Sequence, residues 1–354
     1  MRKVTMFLMA AAILVAFTTP VMAGQVELWV TVCCGSGNNT GVRGYDYTNK
    51  VFNSTPEVIH KHNNEGYPRS PFSILYVPGV GTTSLGSMLG SGGGGAGSGI
   101  TAPSSQGRDV ATDAQNAAYQ VLDQGGVLLS PGEGALAHAL GRNNLLYYVD
   151  GGGDKIVRHN YDGTFAGGNP IDWVASGLGA TSVRGAEFNN NKSRLYITDN
   201  GGASQLIIYN AQGGNRQTYA MSAEPDGLEF HPTTGQLYVT SRSGKQVVRL
   251  SNFDANGVPQ TEELIIDSFN AATNPDGVSD PVDVAFHPQM SNTIFVSDTL
   301  YALNAYNLKT GEKRFGLDVS AMPFTFNIEF TPEPATIGLL GLGSLMLLRR
   351  QRKA

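Results

Sequence analysis

One apolar pattern returns along the chain. Arg184-Gly-Ala-Glu-Phe188 precedes Leu195-Tyr-Ile-Thr-Asp199 and then Leu206-Ile-Ile-Tyr-Asn210. Asp226-Gly-Leu-Glu-Phe230 precedes Leu237-Tyr-Val-Thr-Ser241 and Val247-Val-Arg-Leu-Ser251. Val282-Asp-Val-Ala-Phe286 precedes Ile294-Phe-Val-Ser-Asp298 and Leu303-Asn-Ala-Tyr-Asn307. Ala135-Leu-Ala-His-Ala139 precedes Leu146-Tyr-Tyr-Val-Asp150 and Ile156-Val-Arg-His-Asn160. Each unit reads as a strand, a turn, a fully apolar strand, a Gly/Asn/Asp turn and a third strand. A central strand buried on both faces gives such a continuous apolar run. Outer fourth strands are expected at Ile171–Val174 and Glu263–Ile266. The markers Asp150, Asp199, Ser241 and Asp298 lie 49, 42 and 57 residues apart, the range of a four-stranded propeller blade.

The two ends of the repeat region complement each other. Leu28-Trp-Val-Thr-Val32 looks like a second strand with no first strand before it, and Val42-Arg-Gly-Tyr-Asp46 like its third. Phe326-Asn-Ile-Glu-Phe330 looks like a first strand with no second after it. Pairing them makes one blade from both ends and closes the ring without an exposed edge. Between about 60 and 130 the pattern is weaker, with strand candidates at Ser73–Val77 and Tyr119–Leu122. Residues 80–107, nearly all glycine and serine over Ser91–Gly99, read as a flexible loop. The prediction is an all-β propeller of six blades, with seven as the alternative, over residues 24–331.

Composition supports this and narrows the function. Charged residues make up 15% of the chain, against about 25% in typical proteins, and there are 45 glycines. Such a chain suits short strands and many tight turns. The net charge of −5 leaves no concentrated basic footprint, so nucleic acid is not an expected partner. Residues 1–23 read as a cleaved signal peptide: Arg2 and Lys3, an apolar run from Met6 to Phe17, then Val21-Met22-Ala23 before Gly24.

The C-terminus carries a second address. Thr331-Pro332-Glu333-Pro334 precedes an apolar stretch from Ile337 to Leu348 and the cluster Arg349-Arg350-Gln351-Arg352-Lys353. The prolines stop any strand, and the basic cluster holds its end on the cytoplasmic side of a bilayer. The stretch is shorter than the roughly 20 residues of a comfortable span, which suits transient membrane association. Pro332, Glu333, Pro334, the glycine-punctuated helix and Arg349 with Arg350 resemble a PEP-CTERM sorting signal over 332–354. The resemblance implies export and processing by an exosortase-type enzyme. It further implies a final place at the cell surface or in the extracellular matrix of a Gram-negative bacterium.

Pro225-Asp226-Gly227-Leu228-Glu229-Phe230, followed by Leu237-Tyr-Val-Thr, resembles blades of NHL/YVTN and gluconolactonase/regucalcin-like propellers. In lactonase-like members the Asp of that phrase binds a divalent metal, which would make Asp226 a ligand. The matching position one blade earlier should then be Asn and is Arg184, a cation adverse to a metal. The plainer reading of Pro-Asp-Gly is turn chemistry. Glu187, Glu229 and Glu329 each precede a strand-ending phenylalanine. Alternation turns each away from its Phe, so the three could converge on a channel and bind Ca²⁺ through hard oxygens. No other cofactor is expected. His231-Pro232 and His287-Pro288 recur after the same strand and read as turn residues, as do Asp150, Asp199 and Asp298. Cys33-Cys34, the two cysteines of the chain, are adjacent, which strains a disulfide between them. With no complete catalytic set in view, the expectation is a binding or structural protein recognising polysaccharide or protein. The alternative is an exported metal-dependent hydrolase or lactonase.

Overall fold

The computed structural model describes most of the chain from Val26 to Phe330. Outside the described residues lie 1–25, 33–40, 47–57, 62–70, 79–86, 93–103, 110–114, 123–128, 130–136, 151–153, 165–171, 269–276, 288–289, 299–301, 319–324 and 331–354. Cys33, Cys34, the expected signal peptide and the sorting tail fall there. Among the described residues, no helix is long and apolar enough to cross a membrane.

The described strands form six antiparallel sheets of four. The first blade joins β1 (Val26–Val32), β2 (Gly41–Asp46) and β3 (Val58–Lys61) to the last strand, β24 (Thr325–Phe330). The second holds β4 (Pro71–Val77), β5 (Ser87–Gly92), β6 (Ser104–Asp109) and β7 (Gln115–Gln120). The third holds β8 (Ala137–Leu140), β9 (Leu146–Asp150), β10 (Lys155–His159) and β11 (Asp172–Val174). In the fourth are β12 (Val183–Phe188), β13 (Arg194–Asp199), β14 (Gln205–Asn210) and β15 (Gln217–Ala220). The fifth comprises β16 (Leu228–Phe230), β17 (Leu237–Ser241), β18 (Gln246–Ser251) and β19 (Thr261–Ile266). The sixth comprises β20 (Pro281–Ala285), β21 (Thr293–Asp298), β22 (Ala302–Asn307) and β23 (Lys313–Asp318). The inner strands touch in the cyclic order β24, β4, β8, β12, β16, β20 and back to β24, which makes the sheets a closed ring.

Closure follows the complementarity of the two ends. Leu28 pairs with Phe330, Trp29 with Glu329 and Val30 with Ile328. Ile328 and Phe330 are buried with Leu28 and Val30 against Ala285, Phe295, Leu303 and Ala305 of the sixth blade. Burying two such side chains is worth about 1.5–3 kcal/mol each. The other apolar clusters lie between consecutive blades in the same way. This explains why β9, β17 and β21 are buried along their whole length, while outer β15 alternates between half-buried and exposed.

A hydroxyl at the next-to-last position of four second strands receives a first-strand N–H, and two of the four also tie blades together. Thr198, Thr240, Ser297 and Thr31 accept the N–H of Gly185 (2.7 Å), Gly227 (2.9 Å), Asp283 (3.1 Å) and Asn327 (2.7 Å). Thr198 and Thr240 then donate to the carbonyls of Asp226 and Val282 in the next blade, at 2.5 and 2.8 Å. Thr198 and Thr240 are therefore joints between blades, Thr198 set where the first-strand register shifts by one residue at Val183/Gly185.

The structure moves several sequence-derived boundaries. The stretch 80–107 is not one loop: β5 and most of β6 lie in it, with 93–103 outside the described residues. Alternating Ser, Gly and Gln carry too little apolar signal to announce those strands. The strand expected at Tyr119–Leu122 is β7, earlier by four residues at its start, Gln115. In the third blade the inner strand is Ala137–Leu140, so Leu140 rather than Ala139 takes the place of Phe188. Asp199, Asp298 and His231 take the expected turn roles. Asp199 accepts the N–H groups of Thr181 (3.1 Å) and Ser182 (2.9 Å), and Asp298 those of Ser279 (2.8 Å) and Asp280 (3.1 Å). His231 Nδ1 accepts from Thr233 and Thr234, leaving Nε2–H to donate to the Ser291 carbonyl at 2.8 Å in the next blade.

Candidate functional site

The six inner strands surround a cavity of about 160 Å³ on the ring axis. Its polar lining includes Tyr76 from β4, His138 from β8, Glu187 from β12, Glu229 from β16, Asp283 from β20 and Asn327 and Glu329 from β24. Lys192, from the turn after β12, also reaches it. The repeat explains the convergence. Glu187, Glu229 and Glu329 each stand one residue before a buried phenylalanine, so alternation that drives Phe188, Phe230 and Phe330 into the blades turns the carboxylates inward.

Four carboxylates meet one lysine here. Lys192 Nζ lies 3.4 Å from Glu187 Oε1. Burial pushes Glu187 up despite that partner. Glu229 is driven well above the usual carboxylate range, first by burial and then by Glu329, Glu187 and Asp283. Glu329 is raised by burial, Glu187 and Asp283, with Lys192 opposing. Asp283 is pushed up to about 7 by burial, even though its Oδ2 accepts from Asn327 Nδ2 and Ile328 N, both at 3.1 Å. Tyr76 is raised by burial and by Glu329. The three glutamates are half-buried, keeping some contact with the cavity, while Asp283 is 7% exposed.

Sequence reasoning brought Glu187, Glu229 and Glu329 together and missed Asp283. It holds the position three before Phe286 that Gly185 and Gly227 hold before Phe188 and Phe230. The departure from the repeat was the readable signal. Glycine is needed next door: a Cβ on Gly227 would sit 2.2 Å from Asp283 Oδ1 and 2.5 Å from the Val282 carbonyl. Tyr76 and Lys192 lie outside the repeated phrases and gave no such signal, while His138 stands within Ala135-Leu-Ala-His-Ala139 and was not singled out.

Asp226 is not part of this cluster. It precedes Glu229 by three residues, about 10 Å along an extended strand, and is not among the cavity-lining residues. Its Oδ1 is 3.9 Å from Arg184 Nε, and its Oδ2 accepts the Arg242 N–H at 3.2 Å. Arg242 Nε in turn lies 3.3 Å from Asp280 Oδ1. Arg184, which sits where a lactonase-like blade would place Asn, is the counter-ion of Asp226. Burial still raises the Asp226 carboxyl, with Arg242 and Arg184 opposing. Among the described residues, no three His, Cys, Asp or Glu side chains are arranged to grip one metal ion.

Solved structures share this architecture. A chain of a nidogen/laminin complex superposes with a TM-score of 0.61 at 13% identity, covering 87% of this chain and 99% of that one. The periplasmic gluconolactonase of Pseudomonas aeruginosa gives 0.56 at 14% identity, covering 87% and 99%. A putative 6-phosphogluconolactonase from Bacteroides fragilis gives 0.56 at 12%, covering 88% and 100%. At these identities the likeness is one of fold, and it spans both binding propellers and lactonases. No curated protein matches the chain. Residues 330–353 match the PEP-CTERM protein-sorting motif, which implies export, sorting to the cell envelope and processing by an exosortase, so the chain is a β-propeller that ends in a PEP-CTERM signal.

Proposed function

We propose that this protein is a non-catalytic binding propeller of the cell surface or extracellular matrix, delivered by its sorting signal and recognising polysaccharide or protein. One observation carries the reading: Asp226, the carboxylate that a lactonase-type metal would require, is held by Arg184 on one oxygen and by the Arg242 N–H on the other. An arginine at that distance supplies the positive charge a metal would otherwise supply. A rigid ring presenting loops at both ends then serves recognition, as scaffolded loops do.

The channel favours a second reading for one of its regions. Four carboxylates against Lys192 leave excess negative charge on the axis, and a cation such as Ca²⁺ would relieve it. One experiment separates the readings. Melting residues 24–331 with calcium, zinc or EDTA reports specific binding, because a ligand of the folded form raises the melting temperature by mass action. The expected outcome is no zinc response and no hydrolysis of a lactone panel. A metal-dependent rise abolished by Asp226→Ala, together with lactone hydrolysis, would return the protein to the hydrolases. A calcium-dependent rise kept in Asp226→Ala and lost in Glu229→Gln would assign the cation to the channel.

A further inference from the structure

The closing strand and the sorting signal are continuous. β24 ends at Phe330, which is 5% exposed and packed in the core, and the matched motif begins at that same residue. Only six residues separate Phe330 from Ile337, where the apolar stretch starts, a reach of at most about 25 Å. β1 starts at the same end of the blade, since Leu28 pairs with Phe330. Both ends of the ring therefore leave from one face, the face of the turns that follow the other inner strands.

That face has its own charge. The turns 141–145, 189–193, 231–236 and 287–292 contain Arg142 and Lys192 and no acidic residue. The loops farther out on the same face carry one acid more than they carry bases, with Asp162, Asp254 and Glu312 against Arg216 and Lys309. The opposite face carries Asp154, Glu224, Asp226 and Asp280 against Arg184, Arg242 and Lys245. With Lys192 turned toward Glu187, Arg142 is the charge of that inner rim, and the opposite face, with one acid more than its bases, is the less favourable one to set against an anionic bilayer.

We propose that the face where β24 ends is a membrane-facing surface that rests against an anionic bilayer while the tail is inserted. The opposite face, with loops 175–182, 221–227 and 242–245, then points outward and is the one a polysaccharide or protein partner meets. This rests on the tail acting as a membrane tether, as the proposed function requires. The short reach of that link limits how far the ring can stand from the apolar stretch.

The test uses the full chain with vesicles of phosphatidylethanolamine and phosphatidylglycerol. Thr233 and Ser243 are exposed at opposite ends of β17, a five-residue strand about 17 Å long. An azide-bearing residue replacing either one takes a fluorescent donor by click chemistry and leaves Cys33 and Cys34 untouched. Flotation with the vesicles reports the tether, and energy transfer to an acceptor lipid reports the facing. The expected result is flotation, with transfer several-fold stronger from position 233 than from 243. Flotation with equal or reversed transfer overturns the orientation alone. Absence of flotation overturns the tether and the orientation with it.

Discussion

Asp226 and Glu229 lie three residues apart, the first just before β16 and the second within it, and keep opposite electrostatic company. Asp226 belongs to an alternating set, Arg184, Asp226, Arg242 and Asp280, in which each charge has an opposite neighbour. Glu229 belongs to a set of four carboxylates with Lys192 as its one cation. The first set is what a fold needs when it buries a carboxylate at a blade junction. The second works against folding, because like charges at close quarters raise each other's proton affinity. Groups that destabilise a scaffold and are nevertheless gathered at its axis are the better candidates for function.

The largest expected effect separates the two sets by pH. Asp283 titrates at about 7 in the ring and near 3.8 in the unfolded chain. Between those values the folded state holds a proton that the unfolded state has released, so stability falls as pH rises from about 4 to 7. Asp283 alone would account for on the order of 4 kcal/mol across that window. Glu187, Glu229 and Glu329 shift in the same direction. Melting temperature followed by circular dichroism should decline through that range in EDTA, and Asp283→Asn should flatten the decline. A flat wild-type profile would mean that the acids are compensated.

Gly227 sits at the junction of the two sets, between Asp226 and Glu229. A methyl group there meets Asp283 Oδ1 and the Val282 carbonyl, and the backbone atom cannot swing aside. Gly227→Ala should therefore destabilise by about 3 kcal/mol, measured by chemical denaturation at pH 6. Gly235→Ala is the control. That glycine has φ +68° but nothing within 4 Å of its Cβ, so strain acts there without a clash and the loss should be smaller.

Much of the ring was legible because its physics repeats. Fully buried second strands wrote continuous apolar runs, and the incomplete units at Leu28–Val32 and Phe326–Phe330 announced their own pairing. The second blade was half hidden, since β5 and β6 are rich in Ser and Gly, with Met88 and Leu89 as their apolar residues, and look like linker. The three glutamates were readable as a repeat, whereas Asp283 was readable only as an exception to one. Arg184 signalled through its charge that Asp226 was spoken for. A hydroxyl at the position of Thr198 and Thr240 was visible in three of the four aligned phrases, but its role depends on the neighbouring blade, which one strand's pattern does not encode.

Two single substitutions then test the comparison itself, and they should differ in sign. Asp226→Ala removes the acceptor of the Arg242 N–H and the counter-ion of Arg184, and should cost about 2 kcal/mol. Glu229→Gln keeps the shape of the side chain and removes one negative charge from beside Glu329, Glu187 and Asp283. Its amide oxygen still accepts the Phe286 N–H that the carboxylate accepts. At pH 8, where the acids are most ionised, the variant should be more stable than the wild type by about 1 kcal/mol, a modest figure because the side chain is half-buried. The gain should shrink as the pH is lowered, since protonation discharges the same group in the wild type. Urea titrations at pH 8 and pH 5 resolve both signs. A stabilised Asp226→Ala would move Asp226 into the functional set. A destabilised Glu229→Gln at pH 8 would mean that the channel carboxylates already hold a cation, and calcium removal should then erase the difference.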